Sequence, residues 1–108
     1  EPYAFVVEGP LDAGKIGSPA VARIGKYLSD EQIKLLAARF RRIFLVPDND
    51  KAGLQSIQED QQRMATHVRC DILRVPDLCP FTRSVLKDPG DMSGACVAAF
   101  RQYAESLL

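Results

Sequence analysis

The sequence lacks several features that would assign it to common protein classes. It has no tryptophan, one histidine and three cysteines (Cys70, Cys79 and Cys96) without a Cys-x-x-Cys pair. An odd number of cysteines at these spacings argues against a disulfide framework or a zinc site. No apolar run approaches the roughly 18 residues of a membrane span, and no signal peptide is recognisable. We therefore expect a cytoplasmic protein with reduced thiols and no membrane partner.

The sequence also lacks an excess of charge of either sign, with 14 basic and 14 acidic residues. A domain that grips nucleic acid by itself usually carries a clear basic excess. Any role with nucleic acid must therefore depend on a local patch, on metal ions that neutralise the acids, or on other domains. The 108 residues, 46% of them hydrophobic, suit one domain over residues 1–108. Because Glu1 leads almost at once into an apolar segment, we expect a piece of a longer polypeptide.

Apolar runs indicate four strands. The continuous runs at 4–7 and 43–46 are typical of strands covered on both faces, as in a parallel sheet between helices. Residues 68–72 alternate between apolar and polar, and 20–24 is short, so both are expected at the edges. With a helix after each strand, the order predicts an α/β fold with a doubly wound four-stranded parallel sheet in the order 2-1-3-4.

Helical periodicity fills the segments between the strands. Ser29 and Gln32 form a capping box that begins one helix, and a second, more polar helix is indicated over 51–66. The last helix has the strongest apolar stripe, which we expect to be buried: Met92, Ala95, Cys96, Ala99, Phe100, Tyr103 and Leu107. Tyr103 is therefore interpreted as a core residue and not as a nucleophile.

A basic cluster of Arg39, Arg41 and Arg42 could touch a nucleic-acid backbone. The alternative is a solvated helix end, where cations also complement the helix dipole. We favour the solvated helix end.

Acidic residues gather where the predicted strands end. In such sheets ligands bind at the carboxyl ends of strands where the winding reverses, here between the first and third strands. Six carboxylates from three segments can converge there: Glu8, Asp12, Asp48, Asp50, Asp88 and Asp91. Uncompensated, they would repel one another, and a divalent cation would remove that conflict. Oxygen ligands without histidine or cysteine favour Mg²⁺, Mn²⁺ or Ca²⁺ over zinc.

Simpler interpretations exist for each acidic segment. Asp48 or Asp50 could cap the helix that begins near Lys51, and Asp91 could cap the last helix after an ordinary turn at Asp88. The coincidence of three segments at the predicted switch point favours the metal site. The segment 9–15 has the spacing of a P-loop, but Ile16 replaces the Ser or Thr that ligates Mg²⁺, so an ATPase is rejected.

Four motifs together resemble the Toprim family, the catalytic fold shared by primases, topoisomerases and some nucleases. They are Glu8-Gly9 with Asp12 after the first strand, Gly25 with the helix 29–40, the run Asp48 to Gly53, and the run Lys87 to Asp91. The Asp-x-Asp-x-Ala-Gly extension and the late Lys-Asp segment are similar to the primase branch. Many bacterial primases have Asp-Pro-Asp in the late motif, and Gly90 stands where the second Asp would be.

The resemblance implies a role for each matching residue. Glu8, Asp48 and Asp50 are the expected catalytic residues, with Glu8 as general acid/base or metal ligand and the two aspartates as principal Mg²⁺ ligands. Mn²⁺ can substitute for Mg²⁺. Further acidic ligands are expected at three positions, namely Asp12, Asp88 and Asp91. Lys51 and Lys87 are candidate phosphate contacts.

The function implied by this resemblance is primer synthesis, a Mg²⁺-dependent nucleotidyl transfer that makes RNA on a DNA template. The implied partners are single-stranded DNA, ribonucleotide triphosphates and a replicative helicase, at the replication fork or nucleoid. A metal-dependent nuclease and a non-catalytic recombination-mediator module are the alternatives. The acidic set weighs against the non-catalytic module, and the late Lys-Asp motif favours a primase over a nuclease.

Overall fold

The computed structural model describes residues 3–23 and 25–108, so Ile24, predicted at the end of the second strand, lies outside the described residues. Strands and helices alternate along the chain, as the sequence predicts. They are β1 (Tyr3–Val7), α1 (Pro10–Ile16), β2 (Ala20–Ala22), α2 (Asp30–Arg39), β3 (Arg42–Val46), α3 (Lys51–Met64), β4 (Arg69–Ile72), a 3₁₀ turn (Pro89–Asp91) and α4 (Gly94–Ser106).

The four strands form one parallel sheet in the order β2-β1-β3-β4, which confirms the predicted fold class and strand order. Val7 at the end of β1 pairs with Ala22 of β2 and with Val46 of β3. Because these strands end in register, the residues that follow them emerge at one edge of the sheet. The reversal of winding between β1 and β3 therefore brings the acidic segments to a common place.

Both faces of β1 and β3 are covered, since every residue of the two strands is buried. On one face, Phe5 stacks on Phe44 at 5.7 Å and lies 6.1 Å from Phe100 of α4, as measured between ring centroids. On the other face, Val6 and Leu45 pack with residues of α2 and α3. These two apolar layers fix the positions of the strand ends. Across residues 3–23 and 25–108, no helix combines the length and apolar character needed to cross a bilayer.

The amino end of the sheet is closed by paired charges. Arg42, predicted in a solvated basic cluster, is instead the first residue of β3 and is buried. Its Nε and Nη2 donate to Asp71 at 3.0 and 2.7 Å, and its Nη1 donates to the carbonyl oxygen of Leu107 at 2.7 Å. The prediction was wrong for Arg42 because the strand begins one residue before the apolar run at 43–46, whereas Arg39 and Arg41 are exposed.

Helix α4 buries a narrower stripe than the sequence predicts. Cys96, Phe100 and Ala104 are buried at a spacing of four residues, whereas Tyr103 is 58% exposed. Other members of the predicted stripe are exposed too, namely Ala95, Ala99 and Leu107. The helix meets the sheet along one line only, so residues one position before the buried ones are turned about 100° towards solvent. The prediction that Tyr103 belongs to the core was wrong.

The residues before α4 also differ from the simplest prediction. The N-cap of α4 is Ser93, whose hydroxyl accepts the N–H of Cys96, and not Asp91. Met92 is buried but precedes the helix. Both differences arise because the 3₁₀ turn at Pro89–Asp91 separates the late acidic motif from α4.

Candidate metal centre

The ends of β1 and β3 are tied together through Glu8. This residue follows β1 directly, and its Oε2 accepts the backbone N–H of Asp48 at 2.6 Å. Asp48 follows β3 after the buried Pro47. The contact fixes the start of the segment that leads to α3, so the position of the Asp48 carboxylate depends on Glu8.

Three carboxylates meet at this edge. Asp12 comes from the first turn of α1, Asp48 follows β3, and Asp88 precedes the 3₁₀ turn. One oxygen of each lies within 4.8 Å of the other two. The three segments predicted to converge therefore do so, and each contributes one acid to this group, which we call the acidic triad.

Asp12 is positioned by the late loop as well as by its own helix. Its Oδ1 accepts the backbone N–H of Gly90 at 3.0 Å, a contact between residues 78 positions apart. A Cβ on residue 90 would lie 3.1 Å from the oxygens of both Asp12 and Asp88. Such a separation is tighter than most real Cβ contacts, so glycine allows the two carboxylates to approach each other here.

Asp88 is brought to the triad by Asn49. The side-chain Nδ2 of Asn49 donates to the carbonyl oxygens of Val75 and Leu86 at 3.1 and 2.8 Å, and its backbone N–H donates to Lys87 at 2.6 Å. These bonds attach the long loop after β4 to the end of β3. The middle residue of the Asp-Asn-Asp motif thus positions Asp88, a role that the motif alone does not indicate.

The pKa values of two acids in the triad are raised by burial and by neighbouring negative charges. Burial, followed by the nearby charges of Glu8 and Asp12, raises the pKa of Asp48 to about 7. Burial and the charge of Asp88 also raise the pKa of Asp12 above its usual range. In addition, Oδ1 of Asp48 is buried without a hydrogen-bond partner among the described residues. A buried acceptor of this kind requires a hydrogen-bond donor or a cation as its partner.

The donor set fits a hard divalent cation. The triad offers carboxylate oxygens only, with no imidazole or thiolate in the group. Mg²⁺ and Mn²⁺ favour such ligands and commonly use few carboxylates, leaving positions for water and phosphate. The unpartnered oxygen of Asp48 is the observation that a cation would explain.

The other predicted site residues lie around the triad. Asp50 is exposed and is the N-cap of α3, because its Oδ1 accepts the N–H of Gly53 at 2.5 Å. Asp91 accepts the backbone N–H of Lys87 at 2.9 Å. Lys87 and Lys51 are exposed. Asp50 and Asp91 are thus outside the triad, and their role as ligands stays a prediction.

Gly53 leaves room for the acids at the start of α3. A Cβ on residue 53 would lie 3.0 Å from oxygens of both Asp50 and Glu8. The glycine of the Asp-x-Asp-x-Ala-Gly run therefore accommodates carboxylates in this structure, which is a physical reason for its place in the motif.

Two charged residues that the sequence did not single out lie behind Glu8. Arg23 follows β2 and donates through Nη2 to Oε1 of Glu8 at 3.0 Å and through Nη1 to Asp60 at 2.7 Å. Asp60 is completely buried in α3. One signal was available: Asp60 lies between Ile57 and Met64 on the apolar face of its helix, and a carboxylate there requires a buried cation.

Space for a substrate lies beside the triad. A hollow of about 670 Å³ is lined by Asp88 and Gly90 of the late loop and by three residues of α1, namely Leu11, Asp12 and Lys15. Lys15 was noted in the sequence only as part of the rejected P-loop. Its position places a cationic side chain in the lining that also contains two of the three acids.

Comparison with known proteins identifies the family. Residues 5–82 match the Toprim-like family, so this chain belongs to it. The fold is similar to a DnaG primase catalytic domain bound to single-stranded DNA, with a TM-score of 0.73 at 18% identity over 95% of this chain and 34% of that chain. No curated protein sequence matches the chain.

Two further solved structures share the fold. A DnaG catalytic core has a TM-score of 0.73 at 21% identity, covering 98% of this chain and 34% of that one. The E. coli primase catalytic core has a TM-score of 0.66 at 20% identity, covering 83% and 29%. The chain thus spans about a third of the length of the primase structures it matches. The predicted resemblance to the Toprim family is confirmed.

Proposed function

We propose that this chain is the metal-binding catalytic domain of a primase, which joins ribonucleotides into an RNA primer on single-stranded DNA. The observation that carries the proposal is the acidic triad, with its buried, unpartnered Asp48 oxygen, at the strand ends of a fold similar to primase catalytic cores. Mg²⁺ is the proposed cofactor, and Mn²⁺ is expected to replace it.

In this proposal Asp12, Asp48 and Asp88 hold the metal. Bound Mg²⁺ would offset the negative charge of the reacting phosphates and of the pyrophosphate that leaves. Glu8 holds Asp48 in place through the backbone N–H of Asp48. A triphosphate in the adjacent hollow would lie within the same lining as Lys15, whose ammonium group suits phosphate oxygens.

The partners follow from the same proposal. Single-stranded DNA as template is supported by the likeness to a primase catalytic domain bound to it. Ribonucleotide triphosphates are the substrates that primer synthesis requires. A replicative helicase as partner, and a place in the cytoplasm at the replication fork, are part of the proposal. Because the net charge is zero, template binding is expected to depend on other parts of the polypeptide or on the bound metal.

The test is a pair of assays on the longest natural polypeptide that contains this chain. The first supplies template, Mg²⁺ and ribonucleotide triphosphates, and the second supplies labelled DNA or RNA without triphosphates. We expect synthesis in the first and no cleavage in the second. Asp48→Asn and Glu8→Gln should each lower synthesis by about a hundredfold or more, as for other positioned groups at a reacting centre.

A matched control is Asp77→Asn, which removes an exposed carboxylate outside the triad and should leave synthesis unchanged. Metal-dependent cleavage in the second assay, lost in Asp48→Asn, would assign the domain to the nuclease alternative. Full synthesis by Asp48→Asn would contradict the proposed site.

A further inference from the structure

Arg23 is the buried cation nearest to the metal centre. Its backbone N–H donates to the carbonyl oxygen of Val7 at 2.7 Å, which extends the pairing of β2 with β1 and directs the chain to the level of Glu8. The side chain is 3% exposed. Its Nη2 is shared between Glu8 at 3.0 Å and the hydroxyl of Ser56 at 3.4 Å. Arg23 therefore holds Glu8 from the side away from Asp48.

Asp60 explains why a guanidinium can be buried at this point. Its Oδ2 accepts Nη1 of Arg23 at 2.7 Å, and its Oδ1 accepts the backbone N–H of Leu28 at 3.0 Å. Since Asp60 is completely buried, each charge would be costly without the other. The pair links the middle of α3 to the end of β2 and gives Arg23 a fixed position.

Both oxygens of Glu8 are thereby engaged. Oε1 accepts from Arg23, and Oε2 accepts the backbone N–H of Asp48. Glu8 is not among the three acids whose oxygens converge within 4.8 Å, although it adjoins Asp48. An arginine in this position compensates the charge of Glu8 and keeps its carboxylate directed at the backbone.

We propose that Arg23, anchored by Asp60, is a positioning residue that holds Glu8 against Asp48 and lowers the cation affinity of the acidic triad. This inference rests on the metal site of the proposed function. Removing Arg23 releases Glu8 and leaves a fourth carboxylate uncompensated beside the triad. A divalent cation should then bind more tightly, which is the opposite of what general damage to the site would cause.

The test is the dissociation constant of Mn²⁺ for the 108-residue chain, measured by titration calorimetry. We expect Arg23→Met to bind Mn²⁺ about tenfold more tightly, because the carboxylate of Glu8 loses its compensating cation and adds a negative charge beside the site. Arg23→Lys keeps that charge and should bind within about twofold of the wild type. In a Glu8→Gln background, Arg23→Met should change the affinity by no more than about twofold.

A second variant keeps the test informative if Arg23→Met fails to fold. Arg23→Met with Asp60→Asn removes the buried carboxylate that would otherwise keep only Arg63, at 3.7 Å, as a charged partner. It retains an oxygen for the Leu28 N–H. It should still bind Mn²⁺ at least about threefold more tightly, since Arg23 is nearer to Glu8 than Asp60 is. The matched control is Arg42→Met with Asp71→Asn, which removes a buried arginine and its partner at the opposite end of the sheet and should leave the affinity unchanged.

Weaker or unchanged Mn²⁺ binding in the variants without Arg23 would overturn the inference about Arg23 but would not contradict the proposed metal site. Tighter binding that persists equally in the Glu8→Gln background would overturn the claim that Arg23 acts through Glu8. Absence of Mn²⁺ binding by the wild type would overturn the inference together with the proposed function.

Discussion

The two ends of the sheet differ in whether their buried polar groups have hydrogen-bond partners. At the amino end, three donors of Arg42 have partners, and the hydroxyl of Tyr3 donates to Glu105 at 2.9 Å. At the carboxyl end, within the part of the chain that the structure describes, lie all three buried side-chain atoms without a hydrogen-bond partner. They are Nε of Arg23, Oδ1 of Asp48 and Oδ1 of Asn49.

This difference separates a stabilising arrangement from a functional one. A buried polar group without a partner lowers the stability of the fold. Its presence therefore calls for an explanation, such as a bound ligand or a function. The carboxyl end also holds three mutually repelling carboxylates, whereas Arg42 at the amino end is neutralised by Asp71. The comparison indicates that the carboxyl end, and not the amino end, is suited to a divalent cation.

The largest expected effect is that of Asn49→Ala at the carboxyl end. Loss of its bonds to Val75 and Leu86 should lower the free energy of unfolding by about 2–3 kcal/mol, because two carbonyls lose their partner. Since Asn49 positions Asp88, Mn²⁺ affinity should also fall by about tenfold or more, as for other residues that orient metal ligands. Chemical denaturation and calorimetry measure the two effects. Gln61→Ala, which removes a single bond to Cys70, is the control.

Arg42→Met tests the amino end. We expect a loss of about 1–2 kcal/mol in the free energy of unfolding, since the guanidinium bonds to Asp71 and Leu107 disappear while Asp71 remains half exposed to water. The Mn²⁺ affinity should not change. A change in affinity would show that the two ends of the sheet are coupled. It would contradict the claim that the amino end contributes to stability and not to metal binding.

The metal-free domain should lose stability as the pH rises from about 4 to about 7. Asp48 has an ordinary pKa of 3.8 when unfolded and a pKa of about 7 when folded, so the folded state binds more protons within this window. Each step up in pH therefore favours the unfolded state. Denaturation in a chelator at several pH values measures the slope. Asp48→Asn should flatten it, and an unchanged slope in that variant would contradict the assignment.

The smallest expected effect is that of Gly90→Ala. The new Cβ would press on the oxygens of Asp12 and Asp88, and their carboxylates should separate by a few tenths of an ångström. We expect Mn²⁺ affinity to fall only severalfold, with little change in stability. Gly94→Ala, where a Cβ would meet nothing within 4 Å, is the matched control. Equal behaviour of the two variants would remove the role assigned to Gly90.

The fold was predictable because it depends on local patterns. The apolar runs at 4–7 and 43–46, with helices between the strands, were sufficient for the sheet order. Of the six acids predicted at this edge, three form the triad, namely Asp12, Asp48 and Asp88, since carboxyl ends of neighbouring parallel strands share an edge.

The supporting residues could not be predicted in the same way. Arg23 and Asp60 are 37 positions apart, and Asp12 and Gly90 are 78 apart, so their pairing exists only in the folded chain. The sequence does not show what Asn49 bonds, because its partners lie in the loop after β4 and meet it only in the folded chain. Tyr103 was misassigned because an apolar stripe shows which face of a helix is hydrophobic but not how much of that face is covered.

The most direct test of the metal centre is the melting temperature of the chain with and without Mg²⁺ at about millimolar concentration. A ligand that binds only the folded state raises the melting temperature, so the wild type should melt higher with Mg²⁺. Asp48→Asn with Asp88→Asn should abolish the increase, whereas Asp71→Asn with Asp77→Asn, which alters two acids outside the triad, should preserve it. A Mg²⁺-dependent increase that survives in the first double variant would contradict the assignment of the metal to the acidic triad.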